Sequence, residues 1–216
     1  MPPEASESEF SFVSRGGLKL QAAVDAFSLD PSGWICVDLG CSTGGFTDCL
    51  LQAGADRVFA IDTAYGELAW KLRQDERVTV MERTNALHAE VPEGIGCDLA
   101  VIDLGWTPQR LAVPAAARWL APGGQIVSLV KPHYEVSARD KGARVVLDEA
   151  QGLAETERAL QELHDLGYER RGLVASPILG GKRKGKKRGG SGKGNREWLA
   201  LLGPSGAGIS CSPGVG

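Results

Sequence analysis

Apolar positions along the chain change their spacing repeatedly, and each change marks a candidate element. Over residues 17–29, Leu18, Leu20, Ala23, Val24 and Phe27 recur at helical intervals. Asp30-Pro31-Ser32-Gly33 breaks that pattern, and Trp34-Ile35-Cys36-Val37 reads as a short buried strand. A glycine-rich stretch follows, and residues 46–53 then suit a helix stopped by Gly54. Residues 57–61 predict a second strand, 67–73 a helix, 78–81 a third strand and 98–104 a fourth. The helix over 109–120 stops at Pro122-Gly123-Gly124, and a fifth strand over 125–130 stops at Lys131-Pro132. The longest helix is expected over 147–166, halted by Gly167, with two final strands over 173–178 and 198–202.

Short apolar strands alternating with helices predict an α/β fold, a mostly parallel seven-stranded sheet covered on both faces. The last two strands have no helix between them and are expected to pair as an antiparallel hairpin at one edge. Open sheets of this kind hold ligands at the carboxyl ends of their strands. The residues to watch are therefore those of 38–46, Asp62, Asp103 and Lys131. Residues 1–13 are expected to be a flexible lead, 14–203 the folded domain and 204–216 a disordered tail.

Composition narrows the class. The 216 residues, 43% hydrophobic and 24% charged, suit one globular domain with a core of its own. The apolar runs are far too short for a membrane span, and the acidic start MPPEASESEF lacks the layout of a signal peptide. Five cysteines form no CxxC pair and leave one unpaired, which fits the reducing cytoplasm; no metal site is expected. The net charge of −3 hides an asymmetry, because KRKGKKRGGSGKGNR over 182–196 holds eight Lys and Arg and no acid. The 16 other basic residues face 27 acidic ones, so an acidic body carries one cationic insertion suited to a polyanion.

The stretch VDLGCSTGGF, residues 37–46, admits several readings. Gly40-Cys41-Ser42-Thr43-Gly44 matches the G-x-S-x-G elbow of serine hydrolases, and Ser42, Asp103 and His133 follow the chain order of that triad. Only one strand precedes the loop, however, and no HGGG-like segment offers an oxyanion hole. A P-loop would need Lys-Ser/Thr after the glycines, and Ser42 stands where G-x-G-x-x-G needs glycine. What remains is Asp38, Gly40 and a Gly44-Gly45 pair opening a helix. Asp62 stands at the end of the next strand, where a carboxylate can hold ribose hydroxyls. Asp38 beside the loop suits a ligand with a cationic amino group, which favours S-adenosylmethionine over a nicotinamide dinucleotide.

Three further segments, together with the glycine loop, carry a resemblance. SRGGLKL from Ser14, the glycine loop, LAWKLR from Leu68 and ERTN from Glu82 resemble the TlyA/hemolysin A family, whose FtsJ-like domain is a Rossmann-like class I S-adenosylmethionine-dependent methyltransferase. The resemblance implies ribose 2′-O-methylation of RNA, with ribosomal RNA as the expected target. It also implies a Lys-Asp-Lys-Glu tetrad, matched by Lys19, Asp103, Lys131 in LVKPHYE and Glu197 in GNREWLALL. The implied cofactor positions are Asp38, Gly40, Ser42, Gly44, Gly45, Phe46, Asp62, Asn85 and Asp103. Phosphate contacts are expected from Arg15 and from Lys182, Arg183, Lys184, Lys186, Lys187, Arg188 and Lys193.

A lysine acts as a base only after losing its proton, which burial and a second cation both favour. On the resemblance, Lys131 is cast as the base, Asp103 as its orienting partner and Glu197 as a holder of Lys19 or the ribose. Trp106 stands where a flipped base could stack, although tryptophans more often serve the core, and His133 and Tyr134 could line the RNA entrance, with His133 read first as a plain polar loop residue. Two departures bear on the target RNA. Family members usually begin with an S4-type RNA-binding domain, whereas this sequence opens almost directly on SRGGLKL, and the basic insertion precedes Glu197. The competing readings are a non-catalytic RNA-binding assembly factor, a small-molecule methyltransferase and a membrane-lytic protein.

Overall fold

The structure of the protein, a computed structural model, describes residues 11–140, 147–180 and 194–205. Its strands are β1 (Ile35–Leu39), β2 (Arg57–Ile61), β3 (Val78–Met81), β4 (Cys97–Ile102), β5 (Leu120–Val130), β6 (Tyr168–Ala175) and β7 (Trp198–Pro204). They form one sheet in the order β3-β2-β1-β4-β5-β7-β6. The first five are parallel, while β7 runs antiparallel to both β5 and β6. The expected terminal hairpin is there, but its second strand is the inner one and β6 forms the edge.

Alternation along the strands decides which side each helix covers. Cys36, Val58, Ala60, Leu99, Val101 and Leu199 pack with α1 (Gly16–Ala26) and α2 (Gly45–Gln52). Their neighbours Val37, Phe59, Ile61, Ala100 and Ala200 face the other way, toward α4 (Gln109–Ala117) and α6 (Glu149–Asp165). A one-residue slip of any central strand would exchange its two core faces, so the register is firmly set. α3 (Trp70–Arg73) is a single turn whose Leu72 closes the first core beside the glycine loop.

Of the boundaries that differ from expectation, four are instructive. Lys131-Pro132 opens a helix, α5 (Pro132–Arg139), instead of ending a strand in a loop. Proline fits the first helical position, where its fixed φ suits the helix and the missing N–H has no helical partner to lose. The Gly123-Gly124 pair bends β5 at a register shift and does not delimit it, so the strand starts at Leu120. β6 begins at Tyr168 because Glu169, Arg170 and Arg171 face water on an edge strand and dilute its apolar signal.

The fourth difference lies at the start. Phe12 is buried against Gly17, and the Val13 N–H donates to Asp48 Oδ2 at 2.7 Å. The expected flexible lead therefore does not reach residue 13. Residues 1–10, most of the basic insertion and the tail from 206 lie outside the described residues.

Candidate active site

The loop between β1 and α2 turns on two glycines. Gly40 has φ +91, and a Cβ there would stand 2.9 Å from the Asp103 carbonyl oxygen. A Cβ on Gly45 would meet the Gly17 nitrogen at 2.8 Å, so a side chain at either position is excluded. The loop is tied to its neighbours by the amides of Gly40 and Cys41, which donate to the Ile61 carbonyl at 2.9 and 3.1 Å. Ser42, at φ +47, donates its N–H to Asp62 Oδ2 at 2.8 Å, and Ala64 N–H donates to Asp62 Oδ1 at the same distance.

Beneath the loop, Asp38 is wholly buried. Its Oδ2 accepts from both the amide and the hydroxyl of Thr47, at 3.0 and 2.7 Å. Its Oδ1 has no partner among the described residues. Burial, which penalises the carboxylate, pushes the Asp38 pKa up to about 7 against the hydrogen bonds from Thr47.

A cavity of about 720 Å³ opens over this loop, lined among others by Ser14, Lys19, Gly40, Phe46 and Asp103. Ser42, Gly45 and the exposed Arg15 also border it. Asp38 and Asp62 hold the loop from outside the lining, and Gly44 turns onto Leu68 and Leu72. Asn85 sits on an exposed turn, its Oδ1 accepting from the Leu87 amide at 3.0 Å. Phe12, Val13 and Ile178 line the cavity without having been singled out from sequence. The apolar Phe12-Val13 pair just ahead of SRGGLKL was the signal for two of them.

At the carboxyl rim of the sheet two ion pairs assemble. Lys19, on the buried face of α1, donates to Glu197 Oε2 at 2.6 Å, and both side chains are almost wholly out of water. Lys131, at the α5 N-cap, pairs with Asp103 beyond the end of β4 and donates to the Leu104 carbonyl at 3.2 Å. The acid of the first pair comes from the start of β7. An antiparallel strand begins at the rim where its parallel neighbours end, which is how Glu197 reaches the site. His133 registers both lysines: burial first, then the charges of Lys131 and Lys19, lower its pKa to about 4. It is therefore a neutral imidazole at physiological pH.

Trp106, 72% exposed and at φ +59, lies 4.6 Å from the Tyr134 ring, which in turn lies 4.1 Å from His133. These aromatics form a step beside the Lys131–Asp103 pair. The hydrolase arrangement is not assembled: Asp103 is taken by Lys131, and no described residue hydrogen-bonds the Ser42 hydroxyl. No helix among the described residues is long and apolar enough to cross a membrane.

Comparison with known proteins gives a consistent picture. The family model described as FtsJ-like methyltransferase matches residues 12–185. A Mycobacterium tuberculosis protein, the 16S/23S rRNA (cytidine-2′-O)-methyltransferase TlyA, is 42% identical over 178 residues. That match covers 81% of this chain but 66% of TlyA, so the chain spans just under two thirds of its relative. A solved Streptococcus thermophilus structure carrying the hemolysin name superposes with a TM-score of 0.80 at 38% identity, over 93% of this chain and 70% of that one. At 18% identity and a TM-score of 0.56, the N-methyltransferase NodS of Bradyrhizobium japonicum, solved with S-adenosyl-L-homocysteine, shares the fold over 87% of this chain and 84% of its own.

Proposed function

This chain belongs to the FtsJ-like methyltransferase family, and on that premise we propose that it is an S-adenosylmethionine-dependent ribose 2′-O-methyltransferase acting on ribosomal RNA. The observation that carries the reading is the pair of lysine–carboxylate contacts, Lys19–Glu197 and Lys131–Asp103, at the rim of one cavity. A small-molecule methyltransferase would have no evident need for eight clustered cations, whereas an RNA substrate gives them phosphates to contact.

The cavity fits the cofactor on two counts. Gly40 and Gly45 let the loop close onto the Asp103 carbonyl and the start of α1 to shape its floor, and the buried Asp38 Oδ1 lies beneath the loop without a partner among the described residues. Gly40, Ser42, Gly45 and Phe46 would hold the cofactor from below, with Asp62 and Asn85 on its ribose and adenine side. When bound, S-adenosylmethionine supplies an activated methyl group on a sulfonium.

The chain's own residues then have to align and deprotonate a ribose hydroxyl. Lys131 takes the 2′-hydroxyl proton as the neutral amine, its N–H groups donating to Asp103 and the Leu104 carbonyl so that the free lone pair points at the ribose. Glu197 holds Lys19 at the same rim, so that its ammonium faces the ribose instead of swinging into solvent. Trp106 and Tyr134 offer stacking surface to the target base. Arg15 and the cations of 182–193 contact phosphates and orient the RNA without reading its sequence.

The test is methyl transfer from labelled S-adenosylmethionine to ribosomal subunits, with the modified ribose mapped. Lys131→Ala is expected to lower kcat by roughly 10²–10⁴-fold, the usual contribution of a general base. An unchanged rate would remove Lys131 from that role. Tight RNA binding by the parent protein with no transfer would establish the non-catalytic assembly factor instead.

A further inference from the structure

Glu135 is a buried carboxyl group for which the reaction above has no use. It lies one helical turn after Lys131 on α5, and its Oε1 accepts from the backbone N–H of Gln109 at 2.9 Å. That N–H belongs to the first residue of α4, one of the amides that a helix start leaves without an internal partner. The α4 N-cap, Pro108, provides no side-chain cap, so Glu135 caps α4 from a different helix. Gln109 is itself buried and tied to β5, its Oε1 accepting from the Ser128 hydroxyl at 2.5 Å and its Nε2 donating to the Leu129 carbonyl at 3.3 Å.

This cap closes a series. Asp103 pairs with Lys131, the Leu104 carbonyl accepts from Lys131, Trp106 packs on Tyr134, and Gln109 N–H bonds Glu135. Partners advance together along two segments, 103–109 and 131–135, from an open rim to a dry anchor. Apolar side chains could fill the anchor equally well, but they would not fix direction or distance as a hydrogen bond does.

We infer that Glu135 is a positioning residue, which through Gln109 N–H sets the 103–109 segment in register against 131–135 and so holds Asp103 and Trp106 opposite Lys131 and Tyr134. The inference rests on the proposed roles of Asp103 and Lys131, but the register itself is measurable without turnover.

The experiment compares Glu135→Leu, which keeps the volume and loses the acceptor, with Glu135→Gln, which keeps the acceptor. Burial raises the Glu135 pKa to about 7, so at or below neutral pH glutamine resembles the protonated native group. In hydrogen–deuterium exchange, Glu135→Leu is expected to lose protection at Gln109 and in the first turn of α4, residues 109–112, while α2 and the sheet keep theirs. Its kcat falls roughly 10- to 100-fold, the scale of a misplacement of about 1 Å, with S-adenosylmethionine affinity unchanged. Glu135→Gln restores both readouts. A second pair keeps the test open if the leucine variant does not fold. Gln109→Ala retains the N–H, whereas Gln109→Pro deletes it at a position where proline is tolerated. Only the proline variant should deprotect residues 110–112 of α4 beyond the loss common to both.

Unchanged exchange in residues 109–112, loss spread evenly over the protein, or a glutamine variant no better than leucine would overturn the inference. If the parent protein transfers no methyl group, the proposed activity falls and the exchange pattern alone decides the role of Glu135.

Discussion

Gly180 governs how Glu197 can sit. A Cβ at Gly180 would stand 2.9 Å from the Glu197 Cδ, and the Gly180 N–H also donates to the Asn195 carbonyl at 2.9 Å. Because Glu197 is buried, an added methyl group moves its carboxylate off Lys19 instead of into open solvent. Gly180→Ala is therefore expected to lower kcat roughly tenfold, the loss of about 1.4 kcal/mol in the barrier. Its melting temperature should change little, which steady-state kinetics beside calorimetry would show. At this scale the residues of the two rim ion pairs were legible because each stands in its own local motif, SRGGLKL, VIDLGW, LVKPHYE or GNREWLALL. Gly180 and Ile178 were not, since nothing local distinguishes a glycine or isoleucine that meets the site only through chain folding. Glu135 stood in view within LVKPHYE, yet its partner, a backbone amide 26 residues away, leaves no trace in side-chain identity.

The elements themselves were read best where the apolar run and the strand coincide, as for β2 and β3, whose observed limits match expectation. Reading failed where one residue type has two meanings. Proline after Lys131 serves as a helix start, and glycines 123 and 124 bend a strand that continues through them. Polar edge positions hid the first half of β6 for the same reason that edges tolerate them: one face of the strand meets water. α6 shows a signal that local chemistry makes unambiguous. Asp148 Oδ1 accepts from the Gln151 amide at 2.8 Å, and Gln151 Oε1 accepts from the Asp148 amide at 3.0 Å, a reciprocal capping box. Asp148→Ala removes half of it and is expected to cost about 1 kcal/mol of stability. Chemical denaturation would register this as a lower midpoint with an unchanged slope.

Over the whole molecule, charge is divided between an acidic body and the cationic stretch of 182–196. If those cations meet phosphates, the logarithm of RNA affinity should fall steeply with the logarithm of salt, by roughly 0.7 per contact for single strands. Deleting 182–193 should flatten that slope by several contacts while leaving cofactor affinity intact; an unaltered slope would assign phosphate binding elsewhere. The sheet order has another consequence, concerning the time at which the site comes into being. β7 lies between β5 and β6 and pairs with both, so β6, though made earlier on the ribosome, has no place in the sheet until β7 emerges. Until then β5 is a bare edge, the kind of template on which nascent chains mispair. Glu197 arrives with the strand that covers that edge and meets a lysine 178 residues earlier in the chain. The glycine loop can thus form while synthesis continues, but the Lys19–Glu197 pair cannot, and completion of the carboxyl rim coincides with closure of the sheet.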